Sequence, residues 1–224
     1  MKKKLKIYVF RHGRTDYNMK EKFTGWKDSK LTKEGIKDAK IVAEKLKNVK
    51  FEVAIQTKLS RSKDTLMYVL KFHPECQKII EDNRMIERSY GILEGSSHKD
   101  FIKKLGNQQY NLLSSGDAIE NIRNKHLIKE LKKFLGEEEY NAIHRGYKNK
   151  VPHGESFYDV EKRVKKFIVW LKEYMRKNQV NVVISAHGNS IRLFRKIMEH
   201  ASIEEMENWF IPYNKIFVYT IDLE

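Results

Sequence analysis

The chain has 224 residues, 40% of them apolar and 11% aromatic, which is enough to bury a sizeable core and excludes a disordered protein. Its 45 lysines and arginines against 30 acids give a formal charge of +15 and point to anionic partners, yet the lysines are spread among glutamates over every predicted helix, which argues against a nucleic-acid binder. A single cysteine, Cys76, excludes an internal disulfide and suits a reducing cytoplasm, and the lack of both a signal peptide and a long apolar run predicts a soluble protein with no membrane partner.

The predicted elements alternate along the chain. After the basic stretch Lys2-Lys3-Lys4-Leu5-Lys6, which reads as a frayed terminus, residues 5–10 form a buried strand that runs into Arg11-His12-Gly13-Arg14. A strand end holds the His12 imidazole on a rigid scaffold, Gly13 lets a ligand approach the backbone, and Arg11 offers a fork for a carboxylate or phosphate. Lys22-Phe23-Thr24-Gly25-Trp26 follows as loop. A helix starts at Leu31-Thr32-Lys33-Glu34-Gly35 with Thr32 as N-cap and Ile36, Ala39, Ala43 and Leu46 at helical spacing. Residues 51–55 return as a strand. The next helix runs to about Phe72 and places Arg61 near a strand end and a helix N-terminus, where α/β proteins bind anions.

Lys78 to Glu81 reads as a short strand, and Ile86 to Gly95 as a glycine-punctuated loop carrying Glu87 and Arg88. Helices are predicted near Lys99–Leu105, Asn124–Leu135 and Phe157–Lys177. Asn181 to Ser185 is a central strand that delivers Ala186-His187-Gly188-Asn189-Ser190, with a helix from there to His200 and a last strand over Ile216–Ile221. The alternation predicts a three-layer α/β/α sandwich with a mainly parallel sheet and active loops at the C-terminal ends of its strands. We expect one domain over 1–224 with a helical insertion or flap at about 97–130. Residues 103–116 and 133–146 match at an offset of 30, pairing Gly106 with Gly136, Tyr110 with Tyr140 and Gly116 with Gly146, a similarity that suits either duplication or two lysine-rich helices.

Four distant segments end in groups suited to one chemistry, namely Arg11 with His12, Arg61, Glu87 with Arg88, and His187 with Gly188 and Asn189. Guanidinium groups would repel a metal cation, and no metal is expected; the set suits a phosphate, with His12 as the nucleophile that takes up a phosphoryl group. On Arg-His-Gly near the start, Phe-Thr-Gly-Trp, the Glu-Arg-Ser-Tyr-Gly loop and Ala-His-Gly-Asn-Ser-Ile-Arg, in that order and spacing, the chain resembles the histidine phosphatase superfamily and, within it, the cofactor-dependent phosphoglycerate mutase branch, outside roughly residues 97–130.

That resemblance implies a phosphoglycerate mutase-like fold, a phosphohistidine at His12, a clamp of Arg11, Arg61 and His187 around the phosphoryl group, and Glu87 as the acid/base. It also implies substrate contacts at Asn18, Thr24, Gly25, Arg88, Tyr90, Lys99, Gly188 and Asn189, although Lys99 stands one residue further from Gly95 than the pattern expects. The branch further implies a small phosphorylated carboxylic acid as substrate, 2,3-bisphosphoglycerate as phosphoryl primer, a cytoplasmic setting and room for a homo-oligomer.

A mutase passes the phosphoryl group to the other hydroxyl of the bound glycerate, a phosphatase to water. The mutase branch commonly holds the substrate carboxylate with adjacent arginines. Of two candidate stretches, Gly136-Glu137-Glu138-Glu139-Tyr140 leads to His144-Arg145 and precedes Pro152-His153-Gly154-Glu155-Ser156 at the fitting spacing, whereas the Gly106 stretch leads to no arginine; Arg145 therefore takes the carboxylate role, with His144 in place of the second arginine. Phe23-Thr24-Gly25-Trp26 and Asn189 favour the mutase. His144, Arg14 where an acid is usual, and a chain stopping at Glu224 without a long tail keep the phosphatase open, as leakage to water would follow from a poorly covered intermediate. A catalytically inert binding module is the third reading.

Overall fold

The computed structural model describes residues 4–116, 119 and 122–222. Five strands, β1 (Lys4–Arg11), β2 (Val53–Gln56), β3 (Lys78–Glu81), β4 (Val182–Ala186) and β5 (Ile216–Asp222), form one sheet in the order β3-β2-β4-β1-β5. The joins β3-β2, β2-β4 and β4-β1 are parallel, and β5 runs antiparallel on β1.

Side-chain alternation makes the two core layers. In β1, Leu5, Ile7 and Val9 face one side, where α6 (Phe157–Asn178) and α7 (Gly188–Glu199) bury Val160, Val164, Phe167, Leu171, Ile191 and Phe194 against them. Tyr8 and Phe10 face the other, covered by Val42, Ala43 and Leu46 of α2 (Lys33–Leu46) and by Leu66 and Val69 of α3 (Ser60–Leu70). Strand β4, Val-Val-Ile-Ser-Ala, is buried throughout, the composition of a parallel strand covered on both faces. The predicted three-layer sandwich is thus the observed one. The Thr32 hydroxyl accepts from the Gly35 amide and caps α2 as expected.

The register sets up the site. Phe10 lies opposite Ser185 and Arg11 opposite Ala186, and the His12 amide donates to the Ala186 carbonyl at 3.0 Å. Two parallel neighbours that end together deliver His12 and His187 side by side.

Helices α4 (His98–Ser115) and α5 (Lys125–Arg145) are each ten residues longer at their C-terminal ends than the predicted segments. Gly106 and Gly136 look like helix breakers in the sequence, but here they are the crossing point of the pair. A Cβ on Gly106 would stand 1.8 Å from the Lys132 carbonyl oxygen, and one on Gly136 would stand 2.0 Å from that of Ile102. The contact is reciprocal at the same offset of 30 that the sequence shows, glycine 106 on carbonyl 132 and glycine 136 on carbonyl 102. Two short helices, α1 (Asp16–Met19) and α8 (Ile203–Asn208), carry too few apolar residues to be seen by periodicity and are set by capping boxes at Thr15 and Ser202. No described helix is long and apolar enough to cross a membrane.

Candidate active site

At the C-terminal ends of β1 and β4 a cleft of about 300 Å³ opens toward α4 and α5. His12 lies at its floor, 2% exposed. Its Nδ1 sits 2.7 Å from the Gly13 carbonyl oxygen, which can only accept, so the proton is on Nδ1 and the Nε2 lone pair is free. Burial, then the charges of Arg61 and Arg11, hold the imidazole well below the ordinary histidine range. A neutral ring with a fixed tautomer is the form a nucleophile needs.

His187 stands beside it, the two ring centres 5.0 Å apart. It is fully buried, with its pKa likewise lowered by burial and then by Arg61. The Thr57 hydroxyl meets its Nε2 at 2.8 Å, while Nδ1 is buried without a partner.

Arg11 and Arg61 are anchored by backbone carbonyls rather than by acids. Arg11 Nη1 donates to Ile211 at 2.9 Å, and its guanidinium lies 4.0 Å from the Tyr213 ring centre. Arg61, 1% exposed, donates to the carbonyls of Lys27 and Gly25 at 2.9 and 2.8 Å. Burial pushes its pKa down to about 10, which leaves it charged at neutral pH. Gly25 has φ +52 and touches Glu94, whose carboxylate accepts from the amides of Trp26 and Tyr90; a Cβ there would stand 2.1 Å from a Glu94 oxygen. Only glycine lets that carboxylate tie the Thr24-Gly25 wall to the Glu87 loop.

Glu87 lines the cleft with its Oε1 fixed by the amides of Arg88 and Asn189, at 2.8 and 3.1 Å, and the Trp26 indole donates to its carbonyl at 2.7 Å. On the far wall a chain of groups runs from Asn189 Nδ2 to the Tyr90 hydroxyl at 3.4 Å and on to His144 Nδ1 at 3.2 Å. His144 is stacked between Tyr90 and Tyr140, at interplanar angles of 13° and 12°. Burial, then Arg88 and Arg145, keep it well below the usual histidine range. Arg145 is held by the Glu207 carbonyl at 3.1 Å, and Arg192 by Asn189 Oδ1 at 3.2 Å, with burial pushing the Arg192 pKa down to about 10.

Of the residues that sequence points to, Arg11, His12, Asn18, Thr24, Gly25, Arg61, Glu87, Tyr90, His144, Arg145, Gly188 and Asn189 line this one cleft. Three lie elsewhere. His187 is not among the lining residues but packs against His12. Arg88 is buried between the Tyr90 and Phe157 rings and donates to the Ile143 carbonyl, so it holds the end of α5 from beneath. Lys99 lines a neighbouring groove. Arg14 is not among the lining residues: its Nε and Nη2 grip Asp38 of α2 at 2.8 and 2.9 Å.

Thr57 and Tyr213 do not stand out in the sequence, and Arg192, the last residue of the Ala-His-Gly-Asn-Ser-Ile-Arg run, is given no role there although it follows Gly188 by one helical turn. Thr57 has only its place after β2 as a signal, and Tyr213 has none.

Four guanidiniums (Arg11, Arg61, Arg145, Arg192) and Lys22 line the cleft against two carboxylates, Glu21 and Glu87. Among the described residues seven buried side-chain nitrogen or oxygen atoms lack a hydrogen-bond partner, and four belong to this site: Arg11 Nε, Arg61 Nε, Arg192 Nε and His187 Nδ1, while Arg88 Nε and Nη1 lie between their two rings and His73 Nε2 lies elsewhere. All are nitrogens. Buried donors and charges of one sign ask for an anion to satisfy them.

A neutral buried histidine among arginines at the ends of parallel strands is an arrangement chemically suited to a phosphoryl group. The chain belongs to the histidine phosphatase superfamily, whose branch 1 family model matches residues 7–121 and 121–224. The 2,3-bisphosphoglycerate-dependent phosphoglycerate mutase of Staphylococcus aureus (strain JH9) is 32% identical over 227 residues, covering 98% of this chain and 96% of that protein. In fold the chain is similar to the α-ribazole phosphatase of Shigella flexneri, with a TM-score of 0.70 at 21% identity over 96% of this chain and 89% of that one. It is also similar to the phosphoglycerate mutase of Bacillus anthracis str. Sterne, with a TM-score of 0.65 at 24% identity over 89% and 82%.

Proposed function

We propose that the protein is a phosphoglycerate mutase that interconverts 3-phosphoglycerate and 2-phosphoglycerate through a phosphohistidine at His12. The observation that carries this reading is the two-ended charge of a small cleft: His12, Arg11 and Arg61 at one end, Arg145 and Arg192 at the other, within about 300 Å³. A three-carbon acid bearing a phosphate and a carboxylate offers one anion to each of those walls, which supports the reading. The S. aureus relative supports the same choice.

In the forward transfer His12 Nε2 attacks phosphorus as the bond to the departing oxygen breaks, and the Glu87 carboxyl gives that oxygen its proton. Arg11 and Arg61 neutralise the three spreading phosphoryl oxygens, and the free Nδ1 of His187 donates to one of them while Thr57 donates to Nε2. In the reverse transfer the Glu87 carboxylate takes the proton of the acceptor hydroxyl. Arg145 and Arg192 keep the glycerate from leaving while its two oxygens exchange places at His12. The unpartnered nitrogens at both walls fit the two phosphates of 2,3-bisphosphoglycerate, which would be held by Arg11 and Arg61 at one end and Arg145 and Arg192 at the other. When bound, this primer supplies the phosphoryl group that loads His12.

One observation favours phosphomonoester hydrolysis as a second reading. His144 stands where a second arginine would hold the carboxylate, and it is neutral, so the glycerate is held by less charge. With pure protein and 2,3-bisphosphoglycerate, interconversion of the two phosphoglycerates should exceed hydrolysis of generic phosphomonoesters by at least an order of magnitude. Equal rates would leave the phosphatase.

A further inference from the structure

A second depression, of about 850 Å³, lies between α4 and α5 and shares Glu21 and His98 with the catalytic cleft, so the two adjoin at these residues. Its floor holds the half-buried Ile102 and Ile128, and six lysines stand on its rim. Lys133 is paired with Glu137 at 3.6 Å, and the Lys132 ammonium sits 4.8 Å from the Tyr110 ring centre. The remaining four, Lys99, Lys103, Lys125 and Lys129, have no carboxylate within ion-pair distance among the described residues. A cleft with like charges over an apolar floor focuses positive potential, and among the described residues the only lining carboxylate outside the Lys133 pair is Glu21 at the junction. From His98 to Asn107 the groove follows α4 for about 14 Å at 1.5 Å per residue. A three-carbon acid bound at His12 cannot reach that far.

We propose that the protein has a further, hydrolytic activity on elongated phosphomonoesters that carry a second anion at the far end of an apolar spacer. The reacting phosphate sits at His12, the spacer runs past His98 onto Ile102 and Ile128, and the distal anion lies among Lys103, Lys125 and Lys129. This activity rests on phosphoryl transfer at His12 and not on the mutase acceptor. The ester P–O bond breaks as the P–N bond to His12 Nε2 forms, and the alcohol oxygen takes the Glu87 proton. Water then attacks the phosphohistidine and gives a proton to Glu87, the P–N bond breaks, and inorganic phosphate leaves with His12 restored.

The test compares kcat/KM for 1,8-octanediol bisphosphate with that for octyl phosphate, at low and high ionic strength, in the wild type and in a Lys125→Glu/Lys129→Glu variant. The bisphosphate should be preferred about tenfold or more beyond the factor of two for its two reactive ends, and both added salt and the charge reversals should erase most of that preference. Equal values for the two esters, or a preference that survives both perturbations, overturn the proposal. If the variant does not fold, the salt dependence of the wild type decides alone. Hydrolysis of 4-nitrophenyl phosphate, which is too short for the groove, separates the two levels. Its absence together with an unphosphorylated His12 sinks the phosphoryl-transfer reading, whereas its presence without bisphosphate preference sinks only the groove.

Discussion

Thr57→Val removes a single hydroxyl and keeps the side-chain volume, at a residue that shares no surface with the cleft. Thr57 and His187 are both fully buried, 2.8 Å apart, and among the described residues His187 has no other side-chain partner for its ring nitrogens. The substitution leaves Nε2 as a second orphan beside Nδ1. Losing the partner of a buried polar group costs about 1–3 kcal/mol. For a protein of this size that corresponds to a fall in Tm of about 2–4 °C per kcal/mol. If Thr57 acts only on stability, phosphorylation of His12 proceeds at its normal rate below the new Tm. Acting through His187, it also keeps the Nδ1–H directed at the phosphoryl oxygens, so the single-turnover rate of His12 phosphorylation should fall about 10- to 100-fold, at the scale of one lost transition-state donor. KM should change far less than kcat. Rapid-quench measurement of phosphohistidine in both proteins reads this directly, with Thr57→Ser restoring most of the rate. A Thr57→Val protein that is destabilised yet phosphorylates at the wild-type rate refutes the role given to the hydroxyl.

Acid should destabilise the fold through three buried imidazoles. His12, His144 and His187 all have pKa values lowered chiefly by burial, while in the unfolded chain histidine titrates near 6.5. Below that value the unfolded state binds the extra protons, so unfolding free energy decreases as pH falls, by up to about 1.4 kcal/mol per pH unit for each histidine, and is insensitive to these groups at higher pH. Urea denaturation at about pH 7.5 and about pH 5.5 checks this, and a difference below about 1 kcal/mol contradicts it. Arg145→Ala should lower mutase kcat/KM about 10- to 100-fold while 4-nitrophenyl phosphate hydrolysis changes little, because only the glycerate has a carboxylate to hold; an equal loss on both would move Arg145 into the transfer step. Gly106→Ala should separate α4 from α5, lowering Tm by several degrees as the new methyl meets the Lys132 carbonyl, and calorimetry showing no change would mean the crossing is not tight.

Much of the fold is legible because its central strands are covered on both faces. Val9-Phe10 and Val182-Val183-Ile184 read as buried strands from composition, and the histidines that follow them are fixed at adjacent strand ends by the parallel register alone. Helix α2 is equally clear, with a capping threonine and an apolar stripe. The lengths of α4 and α5 are not, since a glycine chosen for close helix contact is indistinguishable in sequence from one that ends a helix. Lys99 and His98 show the same limit at one-residue scale: both line the groove, but only His98 also lines the catalytic cleft. Arg88 has the motif of a binding residue, and only three-dimensional packing reveals the two aromatic faces that enclose it. Thr57 is hidden because its role depends on His187, 130 residues away in the chain.

The central claim is that His12 carries the phosphoryl group. Incubation with 2,3-bisphosphoglycerate, quenching in base and peptide mass spectrometry should find one phosphate on the peptide containing His12, stable in base, lost in acid and absent from His12→Ala. No adduct, or one on another residue, would contradict the account and leave the inert binding module in its place.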